Sequence, residues 1–441
     1  MSVYLSDFKH FFINRTKSNF DKAALYVEGL AVSDLKNIER ISEKLETNYH
    51  QMQHFITESQ WDHREVIDKV AKDVSQVLPK SKLTGLLIDE SGWEKKGTKS
   101  VGVGYQYCGN VGKISNSQVA VFGCLSTDKY ASLVDTRLYL PKDWCDNAER
   151  CLEAGIPQEA IQFKTKLDLA LEIIIHQQNL GVEFDYVGAD GFYGNDSNFA
   201  KEIDNLGLVY MLDIHSDQII YLEKPELYLP ERKNSKGPIP KKLKATTPEI
   251  TVSNYLKTLK TNDWKKLNIR NSAKGILKGD FHFKTVYIWN KDSNTIEHRF
   301  LVIRKTKTRK GAYEVKYSFT NASLAQYTFE GIAQMQSQRF FIEHSFKESK
   351  QILGLDHFQT RKWMSWHHQV ALNFMVACFM LQEKIAQHEE IPLLTARDIM
   401  DFLVFKFYRE MTEEKLLNQL KERHRKRSLD INNSYSNELI C

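Results

Sequence analysis

The stretch FDYVGADGFYGNDSNFAKEIDNLGLVYML, Phe184–Leu212, decides the fold: an apolar strand at Phe184–Ala189, a helix at Ser197–Leu206 and a second strand at Leu208–Leu212. Upstream lie three β-rich runs, Leu83–Ile88, Ser100–Tyr107 and Gln118–Cys124, separated by Gly, Lys and Asn turns in the manner of a three-strand meander. An apolar helix at Leu167–Gln178 joins the two groups. The order is β-β-β-α-β-α-β, which predicts an α/β domain built on a mixed sheet.

Further out the texture changes on both sides. Residues 1–80 read as helices, with apolar positions at helical spacing in Asp34–Leu45 (Leu35, Ile38, Ile41, Leu45) and in Ser59–Leu78 (Trp61, Val66, Ile67, Val70, Val74). Downstream, a Pro- and Lys-rich loop (Pro225–Pro248) leads into long alternating strands at Phe281–Trp289, His298–Arg304 and Tyr313–Phe319, which predict an inserted β subdomain. Helices resume near Leu324 and continue to the end. The chain has 441 residues, 42% hydrophobic and 27% charged, a globular composition with room for roughly two to four domains. The longest apolar stretch, Val370–Leu381, is interrupted by Asn373 and falls short of the ~20 residues a membrane span needs, so a buried helix is expected there. The N-terminus, Met1–Phe11, has no basic head and apolar run of a secretory signal, and the six cysteines form no CxxC pair. Both features predict a cytoplasmic protein with reduced thiols.

The formal net charge of +5 conceals a strong asymmetry. Residues 214–330 hold 23 Lys+Arg against 11 Asp+Glu, a net of +12, which leaves −7 for the remaining 324 residues. Within that segment lie Arg232, Lys233, Lys236, Lys241, Lys242 and Lys244, and the run Arg304, Lys305, Lys307, Arg309 and Lys310. A second cluster, Lys421, Arg423, Arg425, Lys426 and Arg427, ends the last predicted helix. Any one cluster is compatible with a solvated face; together they favour a polyanionic partner.

Three carboxylates carry the chemistry. Asp89 follows the apolar run Leu86-Leu87-Ile88, and Asp190 follows Tyr186-Val187-Gly188-Ala189. An acid at the carboxyl end of a strand emerges at the sheet rim, where α/β sheets handle ligands, although Asp is also a common turn former there. The third candidate comes from Arg339-Phe-Phe-Ile-Glu343-His-Ser-Phe-Lys-Glu-Ser-Lys350, read as a helix. At ~100° per residue Arg339, Glu343 and Lys350 share one face, which by itself also describes a solvated stripe of i,i+4 ion pairs. Three carboxylates beside a basic body suit two-metal phosphoryl transfer, with Arg339 and Lys350 left to hold phosphates.

These residues resemble the bacterial DDE transposases of insertion sequences, in the branch whose ribonuclease H-like catalytic domain is split by a β-rich insertion. That branch carries a Tyr-x2-Arg-x3-Glu-x6-Lys signature; Arg339, Glu343 and Lys350 match it, and Gln336 stands at the tyrosine position. Five stretches narrow the resemblance to the insertion-sequence-701 branch: YHQMQHFITESQWD (Tyr49–Asp62), LIDESGWEKKG (Leu87–Gly97), LYLPKDW (Leu138–Trp144), GADGFYG (Gly188–Gly194) and LGLDHFQTRKW (Leu353–Trp363). The resemblance implies that Asp89, Asp190 and Glu343 form a catalytic triad binding two Mg²⁺ ions, with Mn²⁺ as a substitute. It also implies that Arg339 and Lys350 contact DNA, and that the reaction is cut-and-paste transposition. The implied partners are double-stranded DNA, as terminal inverted repeats and target, and a second copy of the chain on that DNA. The implied setting is bacterial, cytoplasmic and nucleoid-associated, with no membrane.

The expected architecture is a helical DNA-binding region (1–80), a ribonuclease H-like mixed-sheet core in two parts (81–213 and 326–385), a basic β insertion (214–325) and a helical basic tail (386–441). Trp264 and Trp289 could stack on an unpaired base, as aromatics do on single strands, or serve as core. Glu90 and Glu348 are read as bystanders of the triad, and His367 and His368 as satisfied histidines. The glycines Gly102, Gly104, Gly109 and Gly112 fit no phosphate-loop spacing. Two other classes stay open: a transposase-derived DNA-binding protein with an idle centre, and a nuclease without strand transfer.

Overall fold

Strand β1, Thr84–Glu94, runs six residues past the apolar stretch that announces it, because Asp89–Glu94 pair antiparallel with Ser117–Phe122 of strand β3, Lys113–Thr127. The computed structural model describes residues 1–80, 82–232, 240–272, 275–308 and 311–407, with positions 412, 414, 417, 418, 420–422, 424–426, 428 and 429 beyond them. Strands β2 (Gly104–Cys108) and β4 (Tyr130–Leu138) both pair with β3. The last of these was not expected from the sequence. It buries Asp135 among apolar neighbours, and such a polar residue breaks the pattern that marks a strand.

On its other edge β1 pairs parallel with β5, Tyr186–Ala189, and β5 pairs parallel with β6, Tyr210–Asp213. The core sheet is therefore mixed, with three adjacent parallel strands and an antiparallel flank. Helix α5, Lys166–Asn179, and helix α6, Ser197–Asn205, supply the crossovers; α5 opens on a Thr165–Asp168 capping box.

Strands β7 (Lys265–Ser272), β8 (Gly275–Asn290), β9 (Thr295–Lys307) and β10 (Tyr313–Thr320) form an antiparallel meander. It does not stand apart from the core. β10 pairs antiparallel with β6, so among the described residues one ten-stranded sheet runs through both parts.

The helical parts follow from their caps. Asn37 and Asp62 accept backbone N–H groups of the helices that follow them, so α2 spans Ile38–Leu45 and α4 spans His63–Val77, each starting four residues later than spacing alone predicts. With α1 (Phe20–Val32) and α3 (Tyr49–Thr57), α4 packs against α9, Trp363–Ala386, whose middle is the buried stretch Val370–Leu381, while α2 packs on α1 and α3. Tyr4 donates to the Met375 carbonyl at 2.9 Å, and Trp61 stacks on His368 at 3.9 Å. Helix α7 (Phe329–Gln338) meets α8 (Phe340–Gln351) at Arg339. Phe122 of β3 touches Phe346 of α8, while the adjacent Gly123 abuts Ile173 of α5, which places these two helices on opposite faces of the sheet.

Helix α10, Ala396–Phe407, closes the continuous part of the chain. Lys233, Lys236, Arg309, Lys310, Arg423, Arg427 and Cys441 lie outside the described residues. Cys108, Cys124, Cys145, Cys151 and Cys378 are free thiols. Among the described residues no helix is long and apolar enough to cross a membrane.

Candidate active site

The parallel strands bring the first two acids together. Ile88 pairs with Ala189, so Asp89 and Asp190 are the next residues along two adjacent strands, at the rim where β5 stops. Asp190 caps the helical turn Gly191–Gly194 by accepting the Phe192 N–H at 3.0 Å, and Asp89 accepts the Glu90 N–H at 2.8 Å. Burial pushes both carboxyls above the usual range. For Asp89 the next cause is the charge of Asp190, and for Asp190 it is Glu90. Glu90 therefore belongs to the electrostatic neighbourhood of the pair. Its own oxygens are held by Lys166 Nζ at 2.9 Å and Tyr193 Oη at 3.0 Å.

The helix α8 face arrives over this rim. Its apolar residues Phe341, Ile342 and Phe346 are buried, which orients Arg339 and Glu343 outward along the sheet edge. The Arg339 guanidinium donates to Glu343 at 2.6 Å, to Asp213 at 3.0 Å and to Asp89 at 3.5 Å. Burial works against the arginine's charge, yet Asp213, Glu343, Asp89 and Asp190 outweigh it and raise its pKa. Four acids from four elements thus surround one guanidinium.

Asp213 was not singled out in the sequence, although a signal was there. It follows the run Leu208–Leu212 as Asp89 and Asp190 follow theirs, and it ends the third parallel strand. Glu348, read as a bystander, is paired with Lys384 at 2.8 Å.

Lys350 and Trp289 stand elsewhere. Lys350 is buried, donates to the Gly92 carbonyl at 3.0 Å and lies 5.8 Å from the Trp93 ring; burial lowers its pKa. Trp289 is the penultimate residue of β8 and lines a cavity of about 470 Å³ with Gly191, Phe192, His215, Tyr221 and Lys291. The cavity begins one residue after Asp190, and the indole Nε1–H of Trp289 is buried without a partner. Trp264 is instead tied into the insertion, 6.2 Å from His282. His368, expected to be satisfied, is so at one ring nitrogen: its Nδ1 lies 3.0 Å from the Ile56 carbonyl, while its Nε2 is buried without a partner.

Among the described residues no three His, Cys, Asp or Glu side chains are gathered closely enough to hold a metal ion; the acids ring Arg339 instead. The donor set nevertheless suits a hard divalent cation. Asp89 and Asp190 are oxygen donors whose proton affinity burial raises, with Asp190 adding to it at Asp89 and Glu90 at Asp190, and the Arg339 guanidinium lies between Asp89 and Glu343.

The sheet rim thus joins converging acids, an arginine held among them and a basic antiparallel extension in one sheet. The model of the DDE superfamily endonuclease family matches residues 11–276, over half of the sequence, and the chain belongs to that family. The matched region contains Asp89 and Asp190 and ends before Glu343. The chain is also 34% identical over 176 residues to a probable transposase for insertion sequence element IS701 from Microchaete diplosiphon, a match covering 39% of this chain and 42% of that protein. It thus spans less than half the length of this curated relative. Among solved structures, the cryo-EM structure of piggyBac transposase synaptic complex with hairpin DNA aligns with a TM-score of 0.38 and 9% identity, over 95% of this chain and 80% of that one.

Proposed function

We propose that the chain is a transposase of the insertion-sequence-701 type, which grips the terminal inverted repeats of its element, cleaves there and joins the ends to target DNA. The observation that carries this reading is the convergence of Asp89 and Asp190 at one sheet rim with Glu343 reaching them through Arg339. In this reading Asp89, Asp190 and Glu343 hold two Mg²⁺ ions, or Mn²⁺ in their place. The chemistry such ions supply is Lewis-acid stabilisation of the attacking and leaving oxygens of an in-line displacement.

The chain's own residues do the rest. Arg339 holds the acids together before DNA arrives and then turns its fork to a phosphate, where two parallel N–H donors fix orientation. Lys350 as a phosphate contact has to leave the Gly92 carbonyl; while bound there it anchors β1 three residues beyond Asp89. Trp289 supplies a stacking face beside the Asp190 turn, in a cavity large enough for a displaced base. Beyond Arg339 and Glu343 a groove of about 420 Å³ continues along the insertion past Lys307 and Lys316, a path for the sugar–phosphate backbone. Residues 1–80 then recognise the repeats, 214–325 act as the basic insertion between the two parts of the core, and two copies work on paired ends.

The test is cleavage of a labelled duplex carrying the element end, in Mg²⁺, Mn²⁺ or EDTA, by wild type and Glu343→Gln. Metal-dependent release of a 3′-OH, lost by at least a hundredfold in Glu343→Gln with DNA binding intact, is expected. Binding without cleavage by wild type in either metal would favour the idle DNA-binding reading.

A further inference from the structure

Both oxygens of Asp213 are committed. Oδ2 accepts from Arg339 Nε at 3.0 Å, and Oδ1 accepts from Ser318 Oγ at 2.6 Å. Ser318 lies fully buried on β10, and its oxygen accepts in turn from Gln336 Nε2 at 2.9 Å. The same amide nitrogen donates to the Val302 carbonyl of β9 at 3.2 Å, which pins Gln336 between sheet and helix. Donors and acceptors alternate without conflict along this line, from Gln336 through Ser318 and Asp213 to Arg339.

The consequence lies in the shape of the guanidinium. Arg339 sits at the junction of α7 and α8, where its side chain makes no cap hydrogen bond to the helix, and an arginine side chain left unheld has much rotamer entropy to lose. Once Nε is fixed on Asp213, the planar fork has its terminal nitrogens facing Asp89 and Glu343, as observed. Asp213 differs from Glu343 in its own commitments: its second oxygen already has a buried hydroxyl donor, whereas the Glu343 side chain is half-exposed.

We propose that Gln336, Ser318 and Asp213 are positioning residues that hold Arg339 at the acid cluster, with Asp213 keeping the guanidinium in place when Asp89 and Glu343 turn to a divalent ion. The role of the ion rests on the transposase reading; the hold on Arg339 does not. Gln336, at the tyrosine position of the signature, thereby has a definite task.

The experiment uses the full chain without DNA, ¹⁵N-labelled at arginine, with the Arg339 Nε–Hε resonance assigned by its loss in Arg339→Lys. Wild type and Ser318→Thr are expected to protect Hε from solvent exchange, and Asp213→Asn and Ser318→Ala to exchange at least tenfold faster at unchanged circular dichroism. Mn²⁺ titration followed by electron paramagnetic resonance gives the second readout. Ser318→Ala removes no charge, yet it is expected to weaken Mn²⁺ binding at least threefold, because an unanchored Arg339 competes for Asp89 and Glu343. The effect should vanish in the Arg339→Gln background, where nothing remains to be positioned. Unchanged Hε exchange in both Asp213→Asn and Ser318→Ala would overturn the proposal. If wild type bound no Mn²⁺ at all, the two-metal reading would fail, and the Hε comparison would still decide the positioning.

Discussion

Asp89 lies within an eleven-residue strand, one position past its last pair with β5, and its carboxyl is pushed up by burial and by Asp190 despite the nearby Arg339. A raised carboxyl binds more protons in the folded chain than in the unfolded one. Folding stability contributed by Asp89 and Asp190 is therefore present at low pH and is lost as pH rises from the ordinary Asp range, ~4, through their raised values. In EDTA, Asp89→Asn is expected to raise the neutral-pH Tm by roughly 2 °C, with the gap from wild type closing toward pH 4. Calorimetry across that range checks it, and an unchanged or lower Tm at neutral pH would mean that Arg339 already compensates the charge. Gly194 tests the same rim sterically. A Cβ there would stand 1.9 Å from the Asp213 carbonyl oxygen, a backbone atom that cannot step aside. Gly194→Ala should part the Asp190 turn from the end of β6, at a cost of about 2–4 kcal/mol measurable by denaturant unfolding and with loss of cleavage.

At the scale of elements, α4 and α9 are joined by histidines kept neutral. The His63 ring on α4 lies tilted 4.7 Å from His367 and edge-on 5.8 Å from His368, both on α9, with Trp61 stacked on the His368 ring. Burial, the largest cause for each, lowers His63 to about 4 and His368 to about 3 and lowers His367 as well; Asp62 opposes the shift of His63 and Arg64 adds to it. Their folded values lie below the unfolded ~6.5, so stability is complete above that pH and falls as pH drops from 6.5 toward 4, at up to ~1.4 kcal/mol per pH unit for each histidine. His63→Gln should flatten that acid limb by about one proton, read from Tm against pH. The contact also shows what pattern can and cannot reveal. Apolar periodicity marked α4 and a long apolar stretch marked α9, but their joining is a matter of tertiary packing with no local trace. Likewise the caps Asn37 and Asp62 moved helix starts that spacing alone set too early, because a capping side chain terminates a periodicity that runs on past it. Asp89, Asp190 and the Arg339–Glu343 face were legible because each depends on short-range geometry. Lys350 shares the helical stripe, yet its amine turns to the Gly92 carbonyl, since angle around a helix says nothing of which strand waits beside it. Asp213 escaped notice for a related reason: it stands immediately before the basic segment in sequence while closing the parallel sheet in space.

Over the whole molecule, charge and topology reinforce each other. Residues 214–330 carry a net +12 while the remaining 324 carry −7, and the β10–β6 pairing fixes the basic strands in the same sheet as the acids. In the transposase reading proposed above, a strand of DNA drawn to the insertion would be guided along the sheet to the rim. In that reading, repulsion between its phosphates and the clustered carboxylates would be offset at the boundary by Arg339, which lines the groove with Lys307 and Lys316. Each phosphate neutralised releases counterions, so binding should weaken linearly in log affinity against log salt, by about 0.9 per contact on duplex DNA. Lys307→Gln with Lys316→Gln is expected to reduce that slope by about two and to weaken element-end and unrelated duplexes alike, because backbone contacts carry no sequence information. Fluorescence anisotropy between 50 and 200 mM salt reads both quantities, in the order-of-magnitude range where such contacts act. A slope that kept its wild-type value would move the DNA path off this groove, and a loss confined to the element end would make the two lysines readers of sequence.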